Sequence, residues 1–232
     1  MDDAAGNVLL KPFADPEAVA RYADGPPRFV PGFGDLHRMS GILLAERTPD
    51  DARVLVVGAG GGLELRAFAD AHAGWTFTGV DPSAEMLKLA VRTLGAQAPR
   101  VELVEGYVDD APDGPFDAAT CLLTLHFLGR NERRRTASEI RRRLRPGAPF
   151  VVAHSSFPQD AAGRPRWLAR YAAFAVSHGV DPALAEGARA AVDASLALLS
   201  PEDDEAVLRE AGFQGVTPFY AAFTWRGWVA YA

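Results

Sequence analysis

Residues 54–62 read Val-Leu-Val-Val-Gly-Ala-Gly-Gly-Gly, and nineteen residues past Gly62 the run Phe77-Thr-Gly-Val-Asp81 ends in a carboxylate. An apolar stretch of strand length thus enters a turn that glycine passes without steric cost, and a second apolar stretch follows at βαβ distance. This arrangement demands a parallel sheet and restricts the fold more tightly than any other part of the chain. At the carboxyl edge of such a sheet, glycines 58, 60 and 62 let the backbone come close to a ligand. Asp81 is placed to accept hydrogen bonds from two ribose hydroxyls, so the pair reads as a nucleotide site. A dinucleotide fingerprint would need its third glycine at position 63, where a helix N-terminus could face a pyrophosphate. Leu63 stands there, which disfavours NAD and FAD.

The rest of the chain repeats the alternation. Strand-length apolar runs at 53–57, 76–80, 101–105, 116–122 and 148–154 are separated by helical segments at 61–71, 83–94 and 130–144. Ser83 is expected to cap the second of these helices, and Pro146-Gly147 to end the third. Beyond the fifth strand, 164–198 reads as two alanine- and leucine-rich helices broken near 179–182. Ser200-Pro201 opens a further helix that stops at Gly212, and two last strands are expected at 215–221 and 224–231. The N-terminal region offers helical pieces at 16–23 and 35–47 around the proline- and glycine-rich loop 25–34. The expected architecture is α/β: a Rossmann-like, doubly wound sheet of about seven strands in one domain. Residues 1–50 form a helical cap on it, and 160–199 a helical insert before the last two strands.

Composition narrows the partners. With 24 basic and 30 acidic residues the formal charge is −6, which argues against broad nucleic-acid affinity. One stretch departs from this: 130–145 holds eight arginines against Glu132 and Glu139. A solvated helix whose arginine stems cover apolar surface is the plainer reading, and RNA phosphate docking the sharper one. The single cysteine, Cys121, rules out a disulfide framework, and its apolar surroundings suit an inert buried thiol. Neither a basic leader nor an apolar run of spanning length is legible, so a cytoplasmic protein without membrane contact is expected. The insert and the aromatic stretch Phe223-Thr-Trp-Arg-Gly-Trp228 favour a homodimer.

In open α/β sheets ligands sit at the carboxyl ends of the strands, which gives a short list of site residues. Gly58, Ala59 and Gly60 follow the first strand and Asp81 and Pro82 the second. Tyr107 and Val108 follow the third, Leu122 and His126 lie at the end of the fourth, and His154 lies at the end of the fifth. Met86, one turn past Ser83, can face back and lay its thioether on an adenine ring. His126 and His154 are candidate general bases, because an unperturbed imidazole titrates near neutral pH. No metal-ligand spacing and no Gly-x-Ser-x-Gly elbow is present.

Three alternating glycines followed by a strand-end acid resemble class I S-adenosylmethionine-dependent methyltransferases, whose cofactor has no phosphate to cradle. Further segments carry the likeness across nearly the whole chain: Arg28-Phe-Val-Pro-Gly-Phe33, Leu123-Thr-Leu-His-Phe-Leu-Gly-Arg-Asn-Glu-Arg133, Leu144-Arg-Pro-Gly-Ala148 and Leu208-Arg-Glu-Ala-Gly-Phe213. They are similar to the carboxy-S-adenosylmethionine synthase branch of that fold, whose members build a carboxylated cofactor from prephenate for tRNA wobble-uridine modification. The resemblance implies S-adenosylmethionine as cofactor, with Phe33, Tyr107 and Leu122 among its contacts, and an insert arginine, here Arg189, on a carboxylate. At three positions the pattern departs: Phe33 stands for Tyr, Leu122 for Asn and Tyr107 for an acid. The acid that many methyltransferases place before the first glycine is also missing, leaving Val56. The expected function is therefore methyl transfer to a small-molecule acceptor. A carboxylated-cofactor synthase and a noncatalytic nucleotide-binding module are the alternatives.

Overall fold

The computed structural model describes residue 13 and residues 15–232. The start of the chain, where the absence of a leader was read, lies outside the described residues.

Seven strands form one sheet: β1 (Arg53–Val57), β2 (Thr76–Asp81), β3 (Val101–Glu105), β4 (Ala118–Leu122), β5 (Pro149–Ser155), β6 (Gln214–Ala222) and β7 (Trp225–Tyr231). Their order is β3-β2-β1-β4-β5-β7-β6. The first five run parallel, and β7 inserts antiparallel between β5 and β6. The strand order reverses about β1, so the crevice between the β1 and β4 ends is the topological switch point. All five residues of β4 and all seven of β5 are buried, as expected of strands covered on both faces.

The helices are α1 (Pro16–Ala20), α2 (Pro26–Phe29), α3 (Phe33–Ala45), α4 (Leu63–Ala71), α5 (Ala84–Leu94), α6 (Arg130–Arg142), α7 (Gly163–Ser177), α8 (Pro182–Ser195) and α9 (Pro201–Glu210). On one face of the sheet Leu36 and Leu44 of α3 and Leu65 and Phe68 of α4 pack on Val54, Val56 and Val151. On the other, Ile140 of α6 and Leu208 of α9 pack with Phe213 on Leu55, Cys121 and Phe150. Cys121 is a free, buried thiol, and burial pushes its pKa up.

Helix starts follow the local chemistry. Ser83 Oγ accepts from the Met86 amide at 3.2 Å, Asp181 Oδ1 accepts from Ala183 and Leu184, and Ser200 Oγ accepts from Asp203. α4 begins at Leu63, two residues later than the glycine run suggests, because Gly62 is in the left-handed region at φ 79°. The loop 25–34 is less irregular than its prolines imply. It contains α2, and α3 already starts at Phe33. Trp225 Nε1 donates to the Phe29 carbonyl at 2.9 Å and Tyr220 Oη to the Pro31 carbonyl at 2.5 Å, so the final hairpin pins the loop over the sheet edge. The Phe29 ring meets Tyr171 of α7 at 5.3 Å between centroids, which ties the cap to the insert.

The basic helix α6 is largely neutralised within the fold. Arg130 pairs with Glu210, Arg133 with Asp204, Arg135 with Asp109, Arg142 with Asp113, Arg143 with Glu139 and Arg145 with Asp117. Among the described residues no helix is long and apolar enough to cross a membrane.

Candidate functional site

The glycine turn departs from β1 with Gly58, Gly60 and Gly62 all at positive φ, of 78°, 49° and 79°. The first two glycines serve different ends. A Cβ on Gly58 would lie 2.1 Å from Thr124 Oγ1, so this glycine lets the loop after β4 pass close by. A Cβ on Gly60 would meet nothing nearer than Met86 Cε at 3.4 Å and Tyr22 Oη at 3.7 Å. It would project into the space where the turn faces Met86 and Tyr22, a cradle kept free by the missing side chain.

Asp81 fixes this turn. Its Oδ2 accepts from the Gly60 amide at 2.9 Å and its Oδ1 from the Ser83 amide at 2.9 Å. Each oxygen has a further lone pair, so two hydroxyl donors can still be accepted. Burial raises the Asp81 carboxyl above its ordinary range against the pull of the two amides. A hydroxyl pair brought by a ligand would help to satisfy it. The glycine cradle and a strand-end carboxylate with spare acceptor capacity fit S-adenosylmethionine.

On the β4 side of the turn lies a cavity of about 30 Å³ lined by Tyr22, Phe33, His37, Gly58, Ala59, Gly61, Leu63, Glu64, Leu122 and Leu123. Phe33, Gly58, Ala59 and Leu122 were expected from the sequence; Tyr22, His37 and Glu64 were not. His37 is 6% exposed, packs its ring on Phe33 at 4.5 Å, and has no hydrogen-bond partner among the described residues. Burial holds its pKa down at about 4, so the imidazole is neutral at physiological pH. Glu64 is also 6% exposed, and its carboxylate accepts from the Thr120 hydroxyl. Burial pushes this carboxyl up to about 8, opposed by the bond from Thr120. Tyr22 is raised to about 12, by burial first and then by Asp81 and Glu64. A larger cavity of about 320 Å³ opens at the opposite, amino edge of the sheet, between Arg53, Phe77, Arg100 and Phe116. Its Arg100 is committed to the carbonyls of Ala69, His72 and Trp75, and the glycine turn is at the other edge.

Other expected positions fall elsewhere. Pro82 and Tyr107 are exposed, the latter with 62% of its surface free, while Val108 is buried. Neither His126 nor His154 lines the cavity. The His126 ring packs between Phe127 and Trp225, and its pKa is held well below normal, first by burial and then by His154 and Arg133. His154 is 1% exposed against Trp228. Its Nε2 stands 3.1 Å from Asp204 Oδ1, off the line of a hydrogen bond. Asp204 is gripped by Arg133 at 2.6 Å, and its pKa falls to about 2: burial raises it, but His154 and Arg133 outweigh burial. These two histidines belong to a buried network joining β5, α6 and α9. Arg189, on α8, is also outside the cavity lining, and its guanidinium is held along its own helix by Glu186 at 2.7 Å and Asp193 at 3.7 Å. Among the described residues no group of three His, Cys, Asp or Glu is arranged to hold a metal.

Comparison with known proteins points to the same fold. A methyltransferase-domain family model matches residues 54–147, from β1 to the turn before β5. The carboxy-S-adenosyl-L-methionine synthase of Chromohalobacter salexigens is 27% identical over 221 residues, covering 94% of this chain and 82% of the relative. PigF, solved with SAH, superposes with a TM-score of 0.70 at 20% identity over 99% of this chain and 63% of its own. Human N-acetylserotonin methyltransferase in complex with SAM gives 0.65 at 14% identity over 96% of this chain and 58% of its own. The chain thus spans about three fifths of each solved chain, and the likeness to these two is one of fold.

Proposed function

We propose, from the premise that the chain is a class I S-adenosylmethionine-dependent methyltransferase, that it methylates a small-molecule acceptor entering beside α3. The observation that carries this reading is the Gly60 cradle, locked to Asp81 and bordered by a small, mostly apolar cavity. Bound S-adenosylmethionine supplies an electrophilic methyl on a sulfonium, so most of the rate comes from holding an acceptor in line with it. Asp81 holds the ribose hydroxyls, and Met86 packs beside the turn. Phe33, Leu122 and Leu123 shape an apolar wall that excludes water and selects a compact acceptor. His37 is the imidazole in this wall, neutral and so free to take a proton from the acceptor at whichever ring nitrogen faces it. That role passes to it from His126 and His154, which lie outside the cavity lining. Tyr107 and Val108 close the adenine end at the tip of β3. Arg189 would serve an acidic acceptor only by leaving Glu186.

A second reading, carboxy-S-adenosylmethionine synthesis, is favoured by the extent of the match to the Chromohalobacter salexigens enzyme. Phe33, Tyr107 and Leu122, where that branch is expected to carry polar groups, weigh against it. Mass spectrometry of ligand released from the purified protein separates the two. S-adenosylmethionine or S-adenosylhomocysteine is expected, and the carboxylated cofactor would overturn the methyltransferase reading. We further propose a cytoplasmic homodimer, for which exposed Val176 and Leu184 on the insert and Phe223 in the final hairpin offer apolar surface.

A further inference from the structure

Among the buried titratable groups left without a task, Glu64 is the one that borders the site. It sits in the first turn of α4, immediately past the glycine turn, and shares the cavity with Tyr22, His37, Gly58 and Ala59. The groups facing it are the Thr120 hydroxyl, the Tyr22 phenol, the neutral His37 ring and the Cys121 thiol, with Asp81 beyond Tyr22. No Lys or Arg pairs with it among the described residues. One hydroxyl bond and the N-terminal end of a helix dipole compensate a buried carboxylate only in part. In its own surroundings the group therefore keeps its proton near neutral pH, as burial dictates. A cation delivered into the cavity would reverse that balance, because a buried carboxylate beside an ammonium is favoured in its charged form.

The topology says which cation. Asp81 lies on the β2 side of the turn and Thr120 on the β4 side, with β1 between them. A nucleoside seated on Asp81 and crossing the turn carries its amino-acid end toward β4, where Glu64 and Thr120 wait. Resting on the methyltransferase reading, we infer that Glu64 is the counter-ion of the cofactor's α-ammonium group, with Thr120 holding the carboxylate in place. Binding then strips a proton from Glu64, so cofactor affinity rises with pH up to about 8.

The test is a two-by-two comparison by calorimetry at pH 7. Wild-type protein and Glu64→Gln are each titrated with S-adenosylhomocysteine and with its analogue lacking the α-amino group. Wild type is expected to prefer the amino compound by about 10- to 100-fold, the worth of a charge-assisted bond, and Glu64→Gln to lose that preference. Repeating the wild-type titration in two buffers of different ionisation enthalpy should reveal net proton release on binding. Undiminished preference in Glu64→Gln overturns the inference while leaving the methyltransferase reading intact. Equal affinity of wild type for the two compounds also overturns it, and this arm does not depend on the variant folding. If wild type binds neither compound, the methyltransferase reading falls and the inference falls with it.

Discussion

Two regions at the same carboxyl edge of the sheet bury acidic side chains, and they resolve them in opposite ways. At β5, Asp204 is met by Arg133, whose guanidinium also donates to the carbonyls of Leu128 and Ala197 at 2.9 and 2.6 Å. The charge is matched inside the fold, and neither of the two cavities described above is lined by it. At β1 and β2, Asp81 and Glu64 receive only amides and a hydroxyl, while His37 has no partner among the described residues. A buried acid answered by an arginine is an architectural strut. A buried acid answered by neutral donors beside a glycine cradle is, on the reading proposed above, a place for a ligand. The two histidines that stand out in the sequence, His126 and His154, belong to the first kind, and the less conspicuous His37 to the second.

The contrast predicts distinct failures. Arg133→Met should cause the largest stability loss, about 3–5 kcal/mol, because it leaves Asp204 buried and uncompensated. In a chain of this size that lowers Tm by roughly 10 °C, readable by calorimetry. Unchanged stability would show that the network is not a strut.

Acid and base should separate the regions next. Asp204 has a folded pKa of about 2 against an ordinary 3.8, so its contribution is present above 3.8 and lost as pH falls toward 2. Glu64 has the opposite sign. Its folded pKa of about 8 exceeds the ordinary 4.5, so between those values the folded chain holds a proton that the unfolded chain has released. Its share of stability therefore declines as pH rises from 4.5 to 8. Glu64→Gln should remove that decline in denaturant titrations of the ligand-free protein; an identical pH slope in wild type and variant would contradict this assignment. The smallest effect is expected at Arg189, whose partners are on its own exposed helix face. Arg189→Ala should move Tm by about 2 °C or less. It should also leave S-adenosylhomocysteine affinity within about twofold, since ion pairs of this kind contribute little; a much larger loss of affinity would return Arg189 to the cofactor site.

Legibility in the sequence follows the range of the interactions. The strand, the glycine turn and Asp81 are read directly because each rests on local backbone chemistry, and the caps at Ser83 and Ser200 stand where short-range rules put them. His37, Glu64 and Tyr22 reach the cavity through the tertiary approach of α3, α4 and the N-terminal cap, which no spacing rule specifies. A signal was nonetheless present. Glu64 lies on the buried stripe of α4 with Leu65, Phe68 and Ala69, and His37 on that of α3 with Leu36, Ser40 and Leu44. A titratable residue on the apolar face of a helix next to a ligand turn is the pattern to look for. The loop 25–34 was harder to read, since the bonds from Tyr220 and Trp225 that order it span nearly the whole chain.

The central claim, that the turn and Asp81 together hold S-adenosylmethionine, is tested most directly by titrating S-adenosylhomocysteine and NADH into wild type and Asp81→Ala. Wild type should bind S-adenosylhomocysteine and not NADH. Asp81→Ala, folded as judged by its circular dichroism and thermal transition, should lose roughly 2–4 kcal/mol of binding, the worth of two hydrogen bonds to a carboxylate. Unchanged affinity in the folded variant, or tighter binding of NADH than of S-adenosylhomocysteine, would contradict the claim.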